Sequence, residues 1–196
     1  VVLPTNAGIQ AIKGKSAPYQ IAATITFGNF YIASMGNDAD NEMNEGDKIL
    51  LFQKDNVPDK IFHYIYGDTF DSSIYYVNAV SDAASALIGG SFVDPESGDN
   101  VVPNYVMVAE PVLTNVLSKK DNVSVYADIQ AKYKEKSGNK ELFQASVFVK
   151  DNLEKELVTS FLSSLKDDIE GAIKDPTQLS AGMAKESAAA EVFGVA

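Results

Sequence analysis

The polar side chains best placed to do chemistry sit where apolar runs end. Thr5 and Asn6 follow VVLP, Gln53 and Asn56 follow KILLF, Asn78, Ser81 and Asp82 follow SIYYV, and Glu110 follows YVMVA and precedes Pro111. Hydroxyls and amides both donate and accept hydrogen bonds, and a carboxylate accepts them or pairs with a cation. Such a set suits the capture of a small polar molecule better than the breaking of a bond. Each residue also has a plainer role. Thr5 or Asn6 could cap a short helix over 7–12, Ser81 and Asp82 could cap the next, Gln53 and Asn56 could belong to a plain loop, and Glu110 could steady the positive end of a helix. Phe27, Phe30 and Tyr31 could wall an aromatic pocket, with core packing as the alternative. Gly28, between them, marks a bulge or a close backbone approach.

Catalytic sets are hard to assemble. His63 is the single histidine, cysteine is absent, and all 16 basic side chains are lysines. A Ser-His-Asp set, a two-histidine metal site and a thiolate nucleophile are therefore excluded within these residues, and the sequence holds neither a nucleophile elbow nor a glycine-rich phosphate loop. His63 lies between Phe62 and Tyr64 and reads as a helix-face residue. The acidic stretch NDADNEMNEGD over 37–47 fails as a calcium loop: Met43 stands where the turn glycine belongs and Ile49 where the bidentate glutamate belongs. It reads as a solvated connection. Neither an enzyme, a cofactor nor a metal is expected. With 27 acidic side chains the net charge is -11, which rules out a broad phosphate-binding face and hence nucleic acid.

The elements that must carry these residues follow from periodicity. Strand-like runs at 1–3, 19–33 (broken at Gly28), 48–53, 73–78, 105–109, 123–127 and 143–149 alternate with helical patterns at 7–12, 57–66, 82–89, 112–119, 129–136 and 151–174. Pro58 and Asp59 suit the first turn of one helix, and Gly89-Gly90 ends another. Along 151–174, Leu157, Phe161, Leu165, Ile169 and Ile173 form one apolar stripe. A further helix is expected over 177–186, before an alanine-rich tail. The segment 91–104, with Pro95, Gly98 and Pro103, reads as an exposed excursion. Alternation of this kind predicts an α/β fold with mainly parallel sheets flanked by helices. In such folds ligands sit beyond the carboxyl ends of the strands, facing helix N-termini. That is where the polar residues above fall. A hydrophobic content of 45% over 196 residues supports a proper core, and no apolar run approaches a membrane span.

The segments VVLPTNAG, TITFGNFYIA, KILLFQKDNVPDKIFHYIY, YYVNAVSDAASALIGG, YVMVAEPVLTNVLSK and FQASVFVKDNLEKELVTSFLSSL, in this order, resemble the type II periplasmic solute-binding proteins of ABC importers. The resemblance points to the branch that includes nitrate, sulfonate and thiamine-precursor binders. It implies two lobes, with 34–139 forming lobe II and 1–33 plus 140–196 forming lobe I, that close on a small molecule and deliver it to ABC permease subunits. It implies an extracytoplasmic, lipid-anchored or periplasmic location, with a targeting segment removed ahead of Val1. The family's first two βα units have no counterpart here, so lobe I is expected to be incomplete and to expose apolar surface that favours self-association. On the resemblance, Thr5, Asn6, Phe27, Gly28, Gln53, Asn56, Asn78, Ser81, Asp82 and Glu110 contact the solute. With no arginine fork to clamp an anion, a neutral or cationic, partly aromatic solute is favoured. A ligand-sensing effector domain or an enzyme on the same fold is the alternative. An upstream lipobox cysteine would mark the first reading, and an upstream helix-turn-helix the second.

Overall fold

The computed structural model describes residues 1–13, 18–36 and 42–183. It divides into two compact units, Val1–Phe27 with Phe143–Ala196 (unit 1) and Gly28–Leu142 (unit 2).

Unit 1 is built on three antiparallel strands. β10 (Ala145–Lys150) lies between β1 (Val2–Pro4) and β2 (Tyr19–Thr26), with Val2 opposite Val147 and Ile21 opposite Phe148. Helix α1 (Thr5–Ile12) covers the buried Phe148 ring through Gly8, where the absence of a side chain lets the helix approach. This helix starts directly after Pro4 and has no side-chain cap. The expected capping role of Thr5 is replaced by an inward one. Its buried hydroxyl lies 2.8 Å from that of Ser146, which lies 3.0 Å from that of Thr24. α6 (Lys155–Lys174) shows the periodicity read from its stripe, yet none of its residues is buried, and Leu157 and Ile173 are 59% and 75% exposed. Between β2 and α6 lies an open cavity of about 400 Å³ lined by Ile25, Phe27, Leu162, Leu165 and Ile169. α7 (Thr177–Met183) follows, and the remainder of the helix expected to reach 186, with the tail beyond it, lies outside the described residues.

Unit 2 is a five-stranded sheet between helices. The strands are β3 (Phe30–Met35), β4 (Ile49–Phe52), β5 (Ile74–Val77), β8 (Tyr105–Ala109) and β9 (Val123–Asp128), in the spatial order β5-β4-β8-β3-β9. On one face α3 (Val80–Gly89) packs against α4 (Val112–Leu117), and on the other α2 (Val57–Tyr66) packs against α5 (Ile129–Ser137). The two-sided cover explains why β4 and β8 read as unbroken apolar runs: every residue of both is buried. Residues 91–104 contain a small antiparallel ribbon, β6 (Phe92–Val93) with β7 (Asn100–Val101), turned by the buried Asp94, whose carboxylate accepts from the Ser97 N–H and hydroxyl.

Two expectations are corrected. The sheets are not mainly parallel: the three-stranded sheet is wholly antiparallel, and in the five-stranded one β3 runs against both β8 and β9 while β4 is parallel to β5 and β8. Parallel pairing follows from a helical crossover between strands of one sheet. β3 has no such crossover, because the preceding strand, β2, belongs to the other sheet. For the same reason the units divide at Phe27/Gly28 and Leu142/Phe143, whereas the sequence reading placed 30–33 with 1–27. Phe30 to Ala33 pair with β8 and β9 instead.

Candidate functional site

The strand ends of unit 2 converge on one edge. Register places Phe52 beside Val77, Leu50 beside Val106, Phe30 beside Ala109 and Tyr31 beside Asp128. One residue beyond these pairs, Gln53 stands beside Asn78 and Asn29 beside Glu110, and the register of β4 with β8 offsets the two pairs by one residue along the edge. Asn29 and Glu110 are tied directly: the Glu110 N–H donates to the Asn29 carbonyl at 2.9 Å, and the Asn29 side-chain amide donates to the Glu110 carbonyl at 3.1 Å. Helices α2, α3, α4 and α5 all start at this edge. The structure therefore brings together Gln53, Asn56, Asn78, Ser81, Asp82 and Glu110. Gly28 lies on the same edge at φ 127°, where a β-carbon would meet the Gln130 Cβ at 2.8 Å, so glycine is what lets the start of α5 lie close. Thr5, Asn6 and Phe27 belong to unit 1. Phe27 is exposed and meets Phe143 edge to face at 5.9 Å, while Phe30 is buried in the unit 2 core against Phe52.

The electrostatics of the edge differ from the usual anion site. A helix start attracts anions because its first N–H groups lack partners. Here an oxygen of the chain itself already accepts from an N–H group at or beside each start. Asn56 Oδ1 accepts from Val57 N–H at 2.8 Å, and an Asp82 oxygen accepts from Ala79 N–H at 3.0 Å. Both Glu110 oxygens take Thr114, one its N–H at 3.1 Å and the other its hydroxyl at 2.9 Å. Asp128 Oδ1 accepts from the N–H groups of Gln130 and Ala131 at 2.8 and 3.1 Å. An oxyanion at this edge would meet the negative charges of Asp82, Glu110 and Asp128. The field is negative enough to be felt by Tyr31, whose hydroxyl pKa is raised by partial burial and then by the Asp128 and Glu110 charges. Gln53, Asn78 and Ser81 are exposed along this edge. Asn78 and Asp82 also line a cavity of about 310 Å³ with Ser85, Phe92 and Pro95, beneath the β6–β7 ribbon.

The turn between β4 and α2 has a special backbone. Gln53 and Asp55 adopt φ of 58° and 62°, left-handed conformations that cost a residue with a side chain about 1–2 kcal/mol each. Several hydrogen bonds hold it. Gln53 N–H donates to Val77 O at 2.9 Å, Asn56 N–H to Gln53 O at 3.1 Å, Val57 N–H to Asn56 Oδ1, and Asp55 N–H to Asp59 Oδ2 at 2.7 Å. Asp59, buried in the first turn of α2, also accepts from the Tyr76 hydroxyl at 2.9 Å and meets His63. Sequence reading placed Asp59 and His63 on the same helix but did not connect them. Their four-residue spacing was the available signal.

No protein-family model matches this chain, and no curated protein matches it. Among solved structures it is similar to an ABC transporter from Parabacteroides distasonis, with a TM-score of 0.71 and 17% identity over 100% of this chain and 60% of that one. That likeness shows the fold. The chain is also similar to protein AF1704 from Archaeoglobus fulgidus, with a TM-score of 0.51 and 11% identity over 90% of this chain and 59% of that one. A substrate-binding protein of an amino acid ABC transporter from Streptococcus pneumoniae, bound to L-arginine, is more distant, with a TM-score of 0.48 and 13% identity over 76% of this chain and 56% of that one. The chain spans about three fifths of the length of the first two solved chains. Among the described residues no helix is long and apolar enough to cross a membrane.

Proposed function

We propose that the protein is the solute-binding component of an ABC importer, outside the cytoplasm, and that it takes a small neutral or cationic, partly aromatic solute at the strand-end edge of unit 2 for delivery to permease subunits. The observation that carries the choice of solute is that the chain's own oxygens, three of them carboxylates, stand at all four helix starts and accept from N–H groups there. The likeness to an ABC transporter across the whole chain supports the transport role. Gln53 and Asn78 offer amides to ring or amine groups, and Glu110 supplies the charge that a cation would seek. The roles assigned by the resemblance to Thr5, Asn6 and Phe27 are part of the same proposal, and Asn6→Ala and Phe27→Ala read them. Isothermal titration against a thiamine-type pyrimidine, taurine, nitrate and an aliphatic sulfonate tests it. The pyrimidine is expected to bind, and Glu110→Gln to weaken it about tenfold, the size of one charge-assisted hydrogen bond. Tight binding of an anion alone, undiminished by Glu110→Gln, overturns the assignment.

Self-association through unit 1 belongs to this proposal. It is supported by the exposed apolar side chains Phe143, Leu157, Phe161 and Ile173, since contiguous apolar surface on a soluble protein is normally covered. Sedimentation velocity over a hundredfold range of concentration is expected to show a shift from monomer to dimer, reduced by Phe161→Lys. A single unshifted monomer overturns it.

A further inference from the structure

Behind the strand-end turn lies a cluster that the solute-binding reading does not use. It runs from Asp71 through His63 to Asp59 and Tyr76. His63 Nε2 is 3.2 Å from Asp71 Oδ1, and its Nδ1 is 2.9 Å from the Asp59 carbonyl and 3.0 Å from Asp59 Oδ1. The Tyr76 hydroxyl donates to Asp59 Oδ1, and Lys54, on the turn itself, stands 5.0 Å from the centroid of the Tyr76 ring. Both nitrogens of His63 face oxygen acceptors. A neutral imidazole has one N–H and would turn a lone pair toward a carboxylate or a carbonyl, so only the doubly protonated ring satisfies this arrangement. The buried Asp59 carboxylate has that ring as its counter-charge, and its other oxygen holds the Asp55 N–H of the left-handed turn.

We propose that Asp59 is a positioning residue that holds the Gln53–Asn56 turn in its binding geometry, and that protonation of His63 tightens this hold, so that solute capture is stronger in mildly acidic than in mildly alkaline solution. The inference rests on the reading of that turn as a solute contact. When the ring loses its proton, a desolvated carboxylate is left without its cation and close to the charges of Asp55 and Asp71. The cluster relieves this by turning Asp59 toward water or admitting water, and either change gives up the Asp55 N–H. Residues held in unfavourable backbone conformations persist only while the surrounding contacts over-determine them, so this turn is the element that responds.

The groups facing His63 are Asp59 on its own helix, Asp71 from the 3-10 turn at Asp71–Ser73, Tyr76 on β5 and Asp55 on the turn, both acting through Asp59. α5 meets α2 through Tyr133 against Tyr64. Partial burial pulls the His63 pKa down, but the bond to the Asp59 carbonyl and the charges of Asp59 and Asp71 outweigh it, and the net shift is upward from 6.5. With the folded value raised, the hold is complete below about 6.5, the value in an unfolded chain, and is lost as pH rises through the folded value.

Amide hydrogen exchange followed by NMR on the whole chain between pH 5.5 and 8.5, corrected for the intrinsic pH dependence of exchange, tests the hold. The Ala79 N–H is the internal control, because it donates to a carboxylate, Asp82, with no histidine against it. Protection of the Asp55 N–H relative to Ala79 is expected to fall about five- to tenfold with the midpoint of the His63 ring signals. It should be flat with pH in His63→Gln, and low throughout in Asp59→Asn, with Tyr76→Phe as the milder variant if that protein does not fold. An Asp55 N–H that follows Ala79 at every pH overturns the proposal. Titration of a thiamine-type pyrimidine is the second arm, read as the ratio of wild-type to His63→Gln affinity so that the protonation of the probe cancels. A ratio that falls with the same midpoint supports the coupling to capture. A constant ratio beside a responsive Asp55 N–H overturns that coupling, and with it the turn as a solute contact. A probe that binds at no pH counts against the solute assignment alone, and the exchange data still decide the hold.

Discussion

Phe62→Ala is expected to lower the stability of unit 2 by about 3–5 kcal/mol, the cost of deleting a fully buried ring and leaving a cavity. Phe62 has 0% exposure and is surrounded by other rings: Tyr66 at 4.8 Å, His63 at 5.9 Å and Phe70 at 6.3 Å between centroids. Edge-to-face pairs add to the loss of buried area, and neighbouring rings are too stiff to collapse into the space. Tyrosine fluorescence during guanidinium unfolding is the right measurement. Of the nine tyrosines, only Tyr19 lies outside 28–142, and there is no tryptophan, so the signal reports unit 2. A fall in stability below about 1 kcal/mol would show that the Tyr66 and Phe70 rings close the gap.

Gly8→Ala is expected to act on the other unit. In an ordinary helix interior this change stabilises by up to about 1 kcal/mol, because glycine gives up more backbone freedom on folding. Here the added Cβ would lie 2.0 Å from Cζ of Phe148, a ring that is 1% exposed and cannot swing away. Overpacking of this kind costs about 3 kcal/mol, so a net loss of about 2 kcal/mol is the expected result. Far-UV circular dichroism should register it while the tyrosine transition stays in place. Movement of both signals together would show that unit 1 and unit 2 unfold as one.

The pattern of what was legible follows the range of the interactions involved. The face of α2 carrying Ile61 and Phe62, the Gly90 stop of α3 and the turn positions of Gln53, Asn78 and Glu110 could be read because each depends on neighbours a few residues away. The stripe on α6 announced a helix, but which surface it would meet is a long-range matter, and in the structure it stays open to solvent. The direction of β3 was hidden because it depends on which sheet its predecessor joins. The oxygens at the helix starts were half visible: Asp82 and Glu110 stand where carboxylates favour helix dipoles, Asp128 was not singled out, and only the structure shows all three accepting from N–H groups. The two left-handed residues of the β4–α2 turn left no trace at all, since Gln53 and Asp55 are not glycines.

The place of β10 at the centre of the three-stranded sheet has a consequence for how the chain is made. Val2 waits for Val147, and Thr26 for Ala145, whereas every strand partner within unit 2 lies between 28 and 142. As the polypeptide leaves the ribosome, the later-numbered unit has its full complement of partners first, and the earlier-numbered strands emerge unpaired and must remain so through most of synthesis. Joining them to β10 from an extended chain would mean closing a loop of more than a hundred residues. Once unit 2 has folded, that loop is already gathered, and the remaining closure is local. Strands β1 and β2 are therefore the last of the two sheets to find their partner, and Val2, Leu3 and Ile21 are among the apolar side chains that a nascent-chain chaperone would meet in the interval.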